Sequence, residues 1–407
     1  MNSETTYLTD LAAVLWPCGG LLGPGEFAGA RLARHERGNQ YLPVPSARNP
    51  RIILPAHDRI AATRGISSFS HGHSLRERLR SLALTGAFAT GLAPLLLRDR
   101  LYVGAGPGIE DALASALDRE VSVAIHLGPP RANRKPVLLL LTPSGRTIGY
   151  AKVATNDLTS RLVRTEARAL HHLDESPLKD VTVPRLLHEG EWNDHPLLVQ
   201  EALPVGDQTD RPTRHQLLRC VTQIVGVGGV RARWLSESPY RRSLEERIAM
   251  LGARPEAQPL REALHRLPDV RVPFGAWHGD LTRWNLASTS RRAFVWDWER
   301  LALDAPAGFD ALHYDLNESV QTGVHPGVHR WLDSGSRLLR DPLMAETGLR
   351  PHTVSTVMAL YLIDLATRFL ADLQPEHGGP VAAVDDWLLP ALDGLQVRAG
   401  HEAARAG

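Results

Sequence analysis

The sequence predicts an α+β fold in which strands and helices are segregated along the chain. Two observations carry this. Short apolar or alternating runs at 121–125, 137–141, 148–153 and 195–201 are bounded by turn residues and read as strands. Beyond Leu303 the pattern is helical to the end, and Thr353 to Leu370 is apolar on most faces, as a buried helix should be. Between these regions lies a loop dense in acceptor side chains. It reads Trp277-His278-Gly279-Asp280-Leu281-Thr282-Arg283-Trp284-Asn285, followed by Val295-Trp296-Asp297-Trp298-Glu299.

Residues 1–117 form an α/β region of their own in this reading. Pro43 and Pro45 mark a loop, and Arg51-Ile52-Ile53-Leu54-Pro55 a strand. Ser74 with Glu77 three residues on has the form of a capping box for a helix. Ser81 to Leu97 carries no charge, with Arg76, Arg78 and Arg80 before it and Arg98 and Arg100 after. Its seventeen residues are at the short limit for a membrane span. Gly86, Gly91 and Pro94 favour a broken helix buried in a soluble domain. His71-Gly72-His73 is a solvated loop rather than a metal site. No catalytic constellation appears here, and the region has no assigned role.

The next elements follow in order. Val121 to Ile125 is a strand, and His126 to Pro136 is a loop with a single glycine. Val137 to Leu141 and Ile148 to Val153 flank the turn Pro143-Ser144-Gly145 and make a hairpin. Lys152 sits in the return strand, one of three lysines in an arginine-rich chain. A compact ammonium kept where arginine has replaced lysine almost everywhere points to a role that a guanidinium cannot fill. Glu166 follows fourteen residues later, beside the apolar face of a helix formed by Leu162, Val163, Ala167 and Leu170. His195 to Gly206 is a strand running into a Pro- and Gly-containing linker.

The loop itself points to phosphoryl transfer. Asp280 can take a proton from an attacking hydroxyl. Asn285, five residues on, and Asp297, twelve beyond that, can reach a metal ion if a short hairpin returns the chain. Phosphoryl transfer asks the protein for positioning and charge stabilisation rather than covalent chemistry. The pattern HGDLTRWN with DWE resembles the catalytic loop and metal-binding Asp of the protein-kinase-like fold, in its aminoglycoside phosphotransferase and choline kinase branch.

The resemblance implies a small β-rich N-lobe with hinge at 118–206, a large helical C-lobe at 207–398, and a flexible tail at 399–407. It implies ATP or GTP with Mg²⁺ as cofactors. Asp280 would be the base, with His278 bracing the loop, and Asn285 and Asp297 would hold the metal. Lys152 and Glu166 would form the phosphate-anchoring pair. Backbone groups at Glu201 and Leu203 would meet the base, and Asp207 or Gln208 the ribose. The phosphate-covering loop departs from the glycine-rich pattern. Arg131, Arg134 or Lys135 would replace its positive charge, or the segment is a solvated hairpin tip. Asp310, in the Pro-containing turn and helix after Glu299, is read as structural.

Composition bounds the partners. The formal net charge is +1 over 407 residues, with arginines interspersed among acids, so no nucleic-acid partner is expected. Cys18 and Cys220 make neither a metal cluster nor a disulfide framework. The start Met1-Asn2-Ser3-Glu4 is unlike a signal peptide, and a cytoplasmic setting without membrane contact is expected. The oligomeric state stays open.

Trp277 and Trp296 are expected in the core, and Trp284 is a candidate to stack on an acceptor. The acceptor pocket is implied to lie in 211–267 and 311–370. Glu237, Glu245, Glu246, Asp315, Glu318 and Asp364 are offset there by Arg231, Arg233, Arg241, Arg242, Arg247 and Arg368. That mixture fits a hydroxylated metabolite of neutral or mixed charge better than a polycation. A peptide-hydroxyl kinase and an inactive kinase-like binding module are the competing readings.

Overall fold

The computed structural model of the chain describes residues 3–17, 40–69, 75–97, 99–103, 106–176, 178–205, 211–373 and 387–406. Ser74, His71, His73, Gly206, Asp207 and Gln208 lie outside them. The chain divides into two compact units, Met1–Ala167 with Arg185–Ala202, and Arg168–Pro184 with Leu203–Gly407.

The first unit is built on one sheet. In chain order its strands are β1 (Gln40–Val44), β2 (Ile52–Pro55), β3 (Leu101–Tyr102), β4 (Ser122–His126), β5 (Val137–Leu141) and β6 (Thr147–Val153). After β7 (Val181–Thr182), which belongs to the second unit, come β8 (Leu186–Trp192) and β9 (His195–Glu201). The sheet order is β3-β1-β2-β4-β5-β6-β9-β8, and every pairing is antiparallel. Both faces are covered. Val123, Ile125, Leu138 and Leu140 pack with Leu8, Leu11, Ala12 and Leu15 of helix α1 (Ser3–Leu15). Ala124, Leu139 and Leu141 face the other way, toward Ala61, Ala62 and Ile66 of α2 (Arg59–Phe69). Strand side chains alternate between faces, so burial on both explains why β5 reads as unbroken Val-Leu-Leu-Leu-Leu.

Three expectations are corrected here. Residues before 118 are no separate domain: β2 pairs with β4 through Ile52↔His126 and Ile53↔Ile125, extending the same sheet. The stretch Ser81 to Leu97 is broken as expected, into α3 (Leu75–Thr90) and α4 (Ala93–Leu96), with Gly91 at φ +78° between them. Phe88 and Ala93 of it are buried in the core and Leu84, Ala87 and Leu97 pack partly buried against it, but Leu82, Leu92, Leu95 and Leu96 are exposed. The expected tail at 399–407 is instead largely helical, inside the last helix, Leu389–Ala406.

The remaining helices of this unit are α5 (Ile109–Leu117) and the start of α6 (Asp157–Glu175). Helices α7 (Arg214–Val225), α8 (Pro239–Ala249) and α9 (Ala257–Arg266) open the second unit, followed by α10 (Phe309–Ser319), α11 (Val324–Leu339), α12 (Pro342–Ala345), α13 (Val354–Ala371) and α14 (Leu389–Ala406). Two small sheets frame the acceptor-rich loop. One is β10 (Arg231–Trp234), β11 (Arg271–Trp277) and β14 (Ala302–Pro306); the other is β12 (Leu286–Ser288), β13 (Ala293–Val295) and β7. By length and composition the stretch Pro351–Ala371 could cross a membrane, but most of its apolar window is buried inside its own unit. It is the core helix that the sequence pattern implied.

A fragment beginning at residue 118 should not fold like the full chain. It lacks α1, β1, β2 and α2, and exposes both faces of β4 and β5. Circular dichroism melts of fragment and full-length protein check this. A fragment with the same cooperative melt would contradict the shared sheet.

Candidate active site

The loop Trp277–Asn285 leaves β11 and enters β12, so one small sheet holds each end. Trp277 anchors its start against Phe309, with ring centroids 5.1 Å apart. Gly279 follows at φ +86°, and a Cβ there would meet the Arg300 carbonyl oxygen at 2.4 Å. Only glycine fits both the dihedral and the approach.

His278 is fully buried, with its ring 4.5 Å from that of Trp298. Its Nδ1 accepts the backbone N–H of Asp280 at 3.2 Å, and its Nε2–H donates to the Trp296 carbonyl at 3.0 Å. Those two partners specify the neutral ring protonated on Nε2. Burial, set against the nearby Asp280 charge, lowers its pKa to about 4. The expected bracing role thus has a geometry: one imidazole ties Asp280 to the segment that carries Asp297.

Asp310 lies in the first turn of α10 and is buried. Its carboxylate accepts the backbone N–H groups of His278 at 2.7 Å and Gly279 at 3.2 Å. Burial pushes its pKa up to about 7, and those two hydrogen bonds oppose the rise. Arg368 of α13 donates to the Gly279 carbonyl oxygen.

Asp280 itself has two differently engaged oxygens. Oδ1 accepts from His313 Nε2 at 3.0 Å, and Oδ2 from Asn285 Nδ2 at 3.2 Å. Asn285 Nδ2 also reaches the Asp280 carbonyl at 2.9 Å. Burial works against ionisation of Asp280, but the His313 bond and the Arg368 charge outweigh it and hold its pKa below the ordinary value. The hairpin expected from the spacing is present: Leu286 pairs with Val295, and the Trp296 N–H donates to the Asn285 carbonyl at 3.2 Å. Asp297 follows at φ +68°, a left-handed conformation uncommon outside glycine, asparagine and aspartate. Trp298 locks this turn, fully buried with Nε1–H donating to the Val295 carbonyl at 3.0 Å.

In the first unit, Lys152 on β6 meets both carboxylate oxygens of Glu166 on α6 at 2.6 Å. Lys152 is 4% exposed and Glu166 is 0%, so this is a buried ion pair and not a snorkelling lysine.

Other expected residues are placed differently. Arg134 is corrected: it is buried, paired with Glu4 at 2.9 Å, and donates to the carbonyls of Leu127 and Pro50. Its guanidinium also lies 4.0 Å over the Tyr7 ring. A buried guanidinium must use its donors locally, so Arg134 fastens α1 and leaves no charge for a phosphate. Arg131 is exposed in the same loop. Glu201 closes β9, pairing with Gly149, and its carboxylate meets Arg185 at 3.1 Å. Leu203 accepts the Val205 N–H at 2.8 Å just beyond it. Trp277 is buried, Trp296 is half-buried, and Trp284 is exposed with the Arg283 guanidinium 4.1 Å over its ring.

Sequence reasoning missed His313 and Tyr361 as parts of this site, and named Arg368 only among the arginines of the acceptor pocket. One signal was available. His313 lies three residues after Asp310, a spacing that puts both side chains on one helix face.

Two outcomes follow from the buried charges. Replacing Lys152 by Ala removes the ammonium that meets the buried Glu166 carboxylate, and should cost about 3–5 kcal/mol of stability in urea unfolding. A loss below about 1 kcal/mol would contradict a buried pair. For His278 the folded pKa of about 4 lies below the ordinary 6.5, so the unfolded chain binds the proton first. Its contribution to stability is complete above 6.5 and is lost as pH falls through 4, by up to roughly 1.4 kcal/mol per pH unit. Melting curves between pH 7 and 4 should show His278→Gln losing less stability than the parent over that window. Equal slopes would contradict the assignment.

Residues 137–333, just under half of the chain, match the model of the phosphotransferase enzyme family. No curated relative of the chain is found. Among solved structures, a thermostable mutant of aminoglycoside phosphotransferase APH(4)-Ia in its apo form is 15% identical, covering 72% of this chain and 99% of its own, with a TM-score of 0.47. A ternary complex of a thermostable mutant of that enzyme with ADP and hygromycin B is 12% identical, covering 71% and 98%, at 0.46. The amicoumacin kinase hAmiN, in complex with AMP-PNP, Ca²⁺ and Ami, is 13% identical, covering 68% and 88%, at 0.41. Over the stretch that holds Lys152, Glu166, Asp280, Asn285 and Asp297, the chain resembles the phosphotransferase enzyme family.

Proposed function

We propose that the protein transfers the γ-phosphoryl group of ATP or GTP, in the presence of Mg²⁺, to a hydroxyl of a small metabolite. The observation that carries this reading is the state of Asp280. Its pKa is held below the ordinary value, Oδ1 is tied by His313, and among the described residues Oδ2 takes a long bond from Asn285. Such a carboxylate can accept the proton of an acceptor hydroxyl as that oxygen bonds to the γ-phosphorus and the bond to the β–γ bridging oxygen breaks.

The donor set suits a hard cation. Asn285 uses Nδ2 toward Asp280, which would leave its Oδ1 to hold a metal, and the Asp297 carboxylate, at the base of the same hairpin, would join it. Mg²⁺ prefers oxygen ligands and is held by one or two protein groups plus phosphates, where it neutralises developing charge. Lys152, held by Glu166, supplies a fixed ammonium for the α and β phosphates. Without Arg134, the positive charge of the 126–136 loop rests on Arg131 and Lys135.

Three carboxylates of the implied acceptor region are paired with arginines. Asp364 pairs with Arg247 and accepts from Tyr240, Glu245 pairs with Arg241, and Glu318 with Arg211. A tri- or tetracationic acceptor would need several such carboxylates unspent, since each buried ammonium must be paired. This supports an acceptor of neutral or mixed charge.

Asp280→Asn should bind nucleotide as the parent does and lose on the order of 10²- to 10⁴-fold in turnover. Full turnover by that variant would remove Asp280 from the mechanism. Nucleotide consumption should be screened across sugars, nucleosides, amino alcohols, hydroxylated peptides and aminoglycosides. Turnover is expected with an uncharged or mixed-charge hydroxyl compound. Turnover confined to aminoglycosides would contradict the acceptor class, and turnover of a Ser or Thr peptide would favour a peptide kinase.

A further inference from the structure

Behind Asp280 runs a hydrogen-bonded chain that the phosphoryl-transfer reading does not use. His313, on α10, is buried and contacts Asp280 Oδ1 through Nε2 at 3.0 Å and the Tyr361 hydroxyl through Nδ1 at 2.9 Å. Tyr361, on α13, is fully buried and wedged among the rings of Phe309 and Trp331, with centroids 5.6 and 5.7 Å away. Trp331 Nε1–H in turn donates to the Leu312 carbonyl at 3.0 Å, and Asn317 Nδ2 to the His313 carbonyl at 2.9 Å. The imidazole therefore sits in a fixed setting on every side these contacts describe.

The proton positions follow from the partners. An ionised Asp280 can only accept, so Nε2 must carry the hydrogen. A neutral ring then leaves Nδ1 as an acceptor, which the Tyr361 O–H fills. Burial favours that neutral ring over the imidazolium. Tyr361 thus fixes the tautomer, and the tautomer fixes which atom faces the carboxylate.

We propose that His313 is a positioning residue for phosphoryl transfer: its Nε2–H, oriented by Tyr361, holds Oδ1 of Asp280 and reserves Oδ2 for the acceptor's hydroxyl proton. This rests on reading Asp280 as the base. During transfer the hydroxyl proton passes to Oδ2, while His313 and Tyr361 keep their own protons. Without the Nε2–H, the carboxylate is free to rotate, and Asn285 can draw either oxygen. A displacement of this kind near the reacting atoms costs on the order of 10- to 100-fold in rate.

The test has two parts, both on the full-length chain. Nitrogen-15 NMR of the histidine rings comes first, with His313→Gln identifying the signal among the 18 histidines. A neutral ring protonated on Nε2, whose shift changes in Asp280→Ala, is expected. A ring protonated on Nδ1, a charged ring at neutral pH, or indifference to Asp280→Ala would overturn the proposal. The second part follows phosphate release from MgATP, with water as acceptor. His313→Leu should lower kcat 10- to 100-fold at an unchanged KM for nucleotide, and His313→Gln, which keeps a donor near the same point, should recover most of it. If His313→Leu turns over like the parent while Asp280→Asn does not, His313 has no positioning role and the reading of Asp280 stands. If Asp280→Asn also turns over like the parent, the reading of Asp280 fails, and this proposal with it.

Discussion

The buried carboxylate of Asp310 is the constraint on which the site depends. It takes the N–H groups of His278 and Gly279, the first two residues after β11 ends. A buried N–H without a partner is costly, so the loop has few alternatives to the path observed. Gly279 adds a steric limit through its contact with Arg300, and Arg368 takes up the remaining carbonyl. Asp280 follows directly, so its side chain leaves a backbone already fixed at both neighbouring peptides.

The same economy runs through the other polar groups. His278 joins Asp280 to Trp296, Asn285 joins the end of the loop to its middle, and the β12–β13 hairpin brings the chain back two residues before Asp297. Charged groups that are withdrawn from water come with dedicated partners: Lys152 with Glu166, and Asp364 with Arg247. Fixed dipoles and charges of this kind need no reorganisation when charge develops in a reaction, which is where catalysis gains most from a folded protein.

Much of this was legible in the sequence, and the reasons are particular. Asp280, Asn285 and Asp297 stood out because one short loop and one hairpin set their spacing, which are local features. Lys152 stood out because lysine is so rare here, and its partner lay one helix on. The N-terminal residues were misassigned because β1 to β3 are two to five residues long and join the sheet through non-local pairing, which no local pattern reports. Arg134 was misread for a related reason: its partner Glu4 lies 130 residues away. His313 and Tyr361 were missed because single polar residues in apolar helices look like ordinary core positions until the fold brings them to Asp280.

The central claim is that this loop is set before any ligand arrives. Backbone hydrogen exchange at His278 and Gly279 in the ligand-free chain tests it most directly. If Asp310 holds these amides, they should exchange as slowly as those of the core helix α13, with little change on adding nucleotide and Mg²⁺, and Asp310→Ala should release them. Rapid exchange in the parent protein, slowing only when nucleotide and Mg²⁺ are added, would show that the site is assembled by its ligands and would contradict the account.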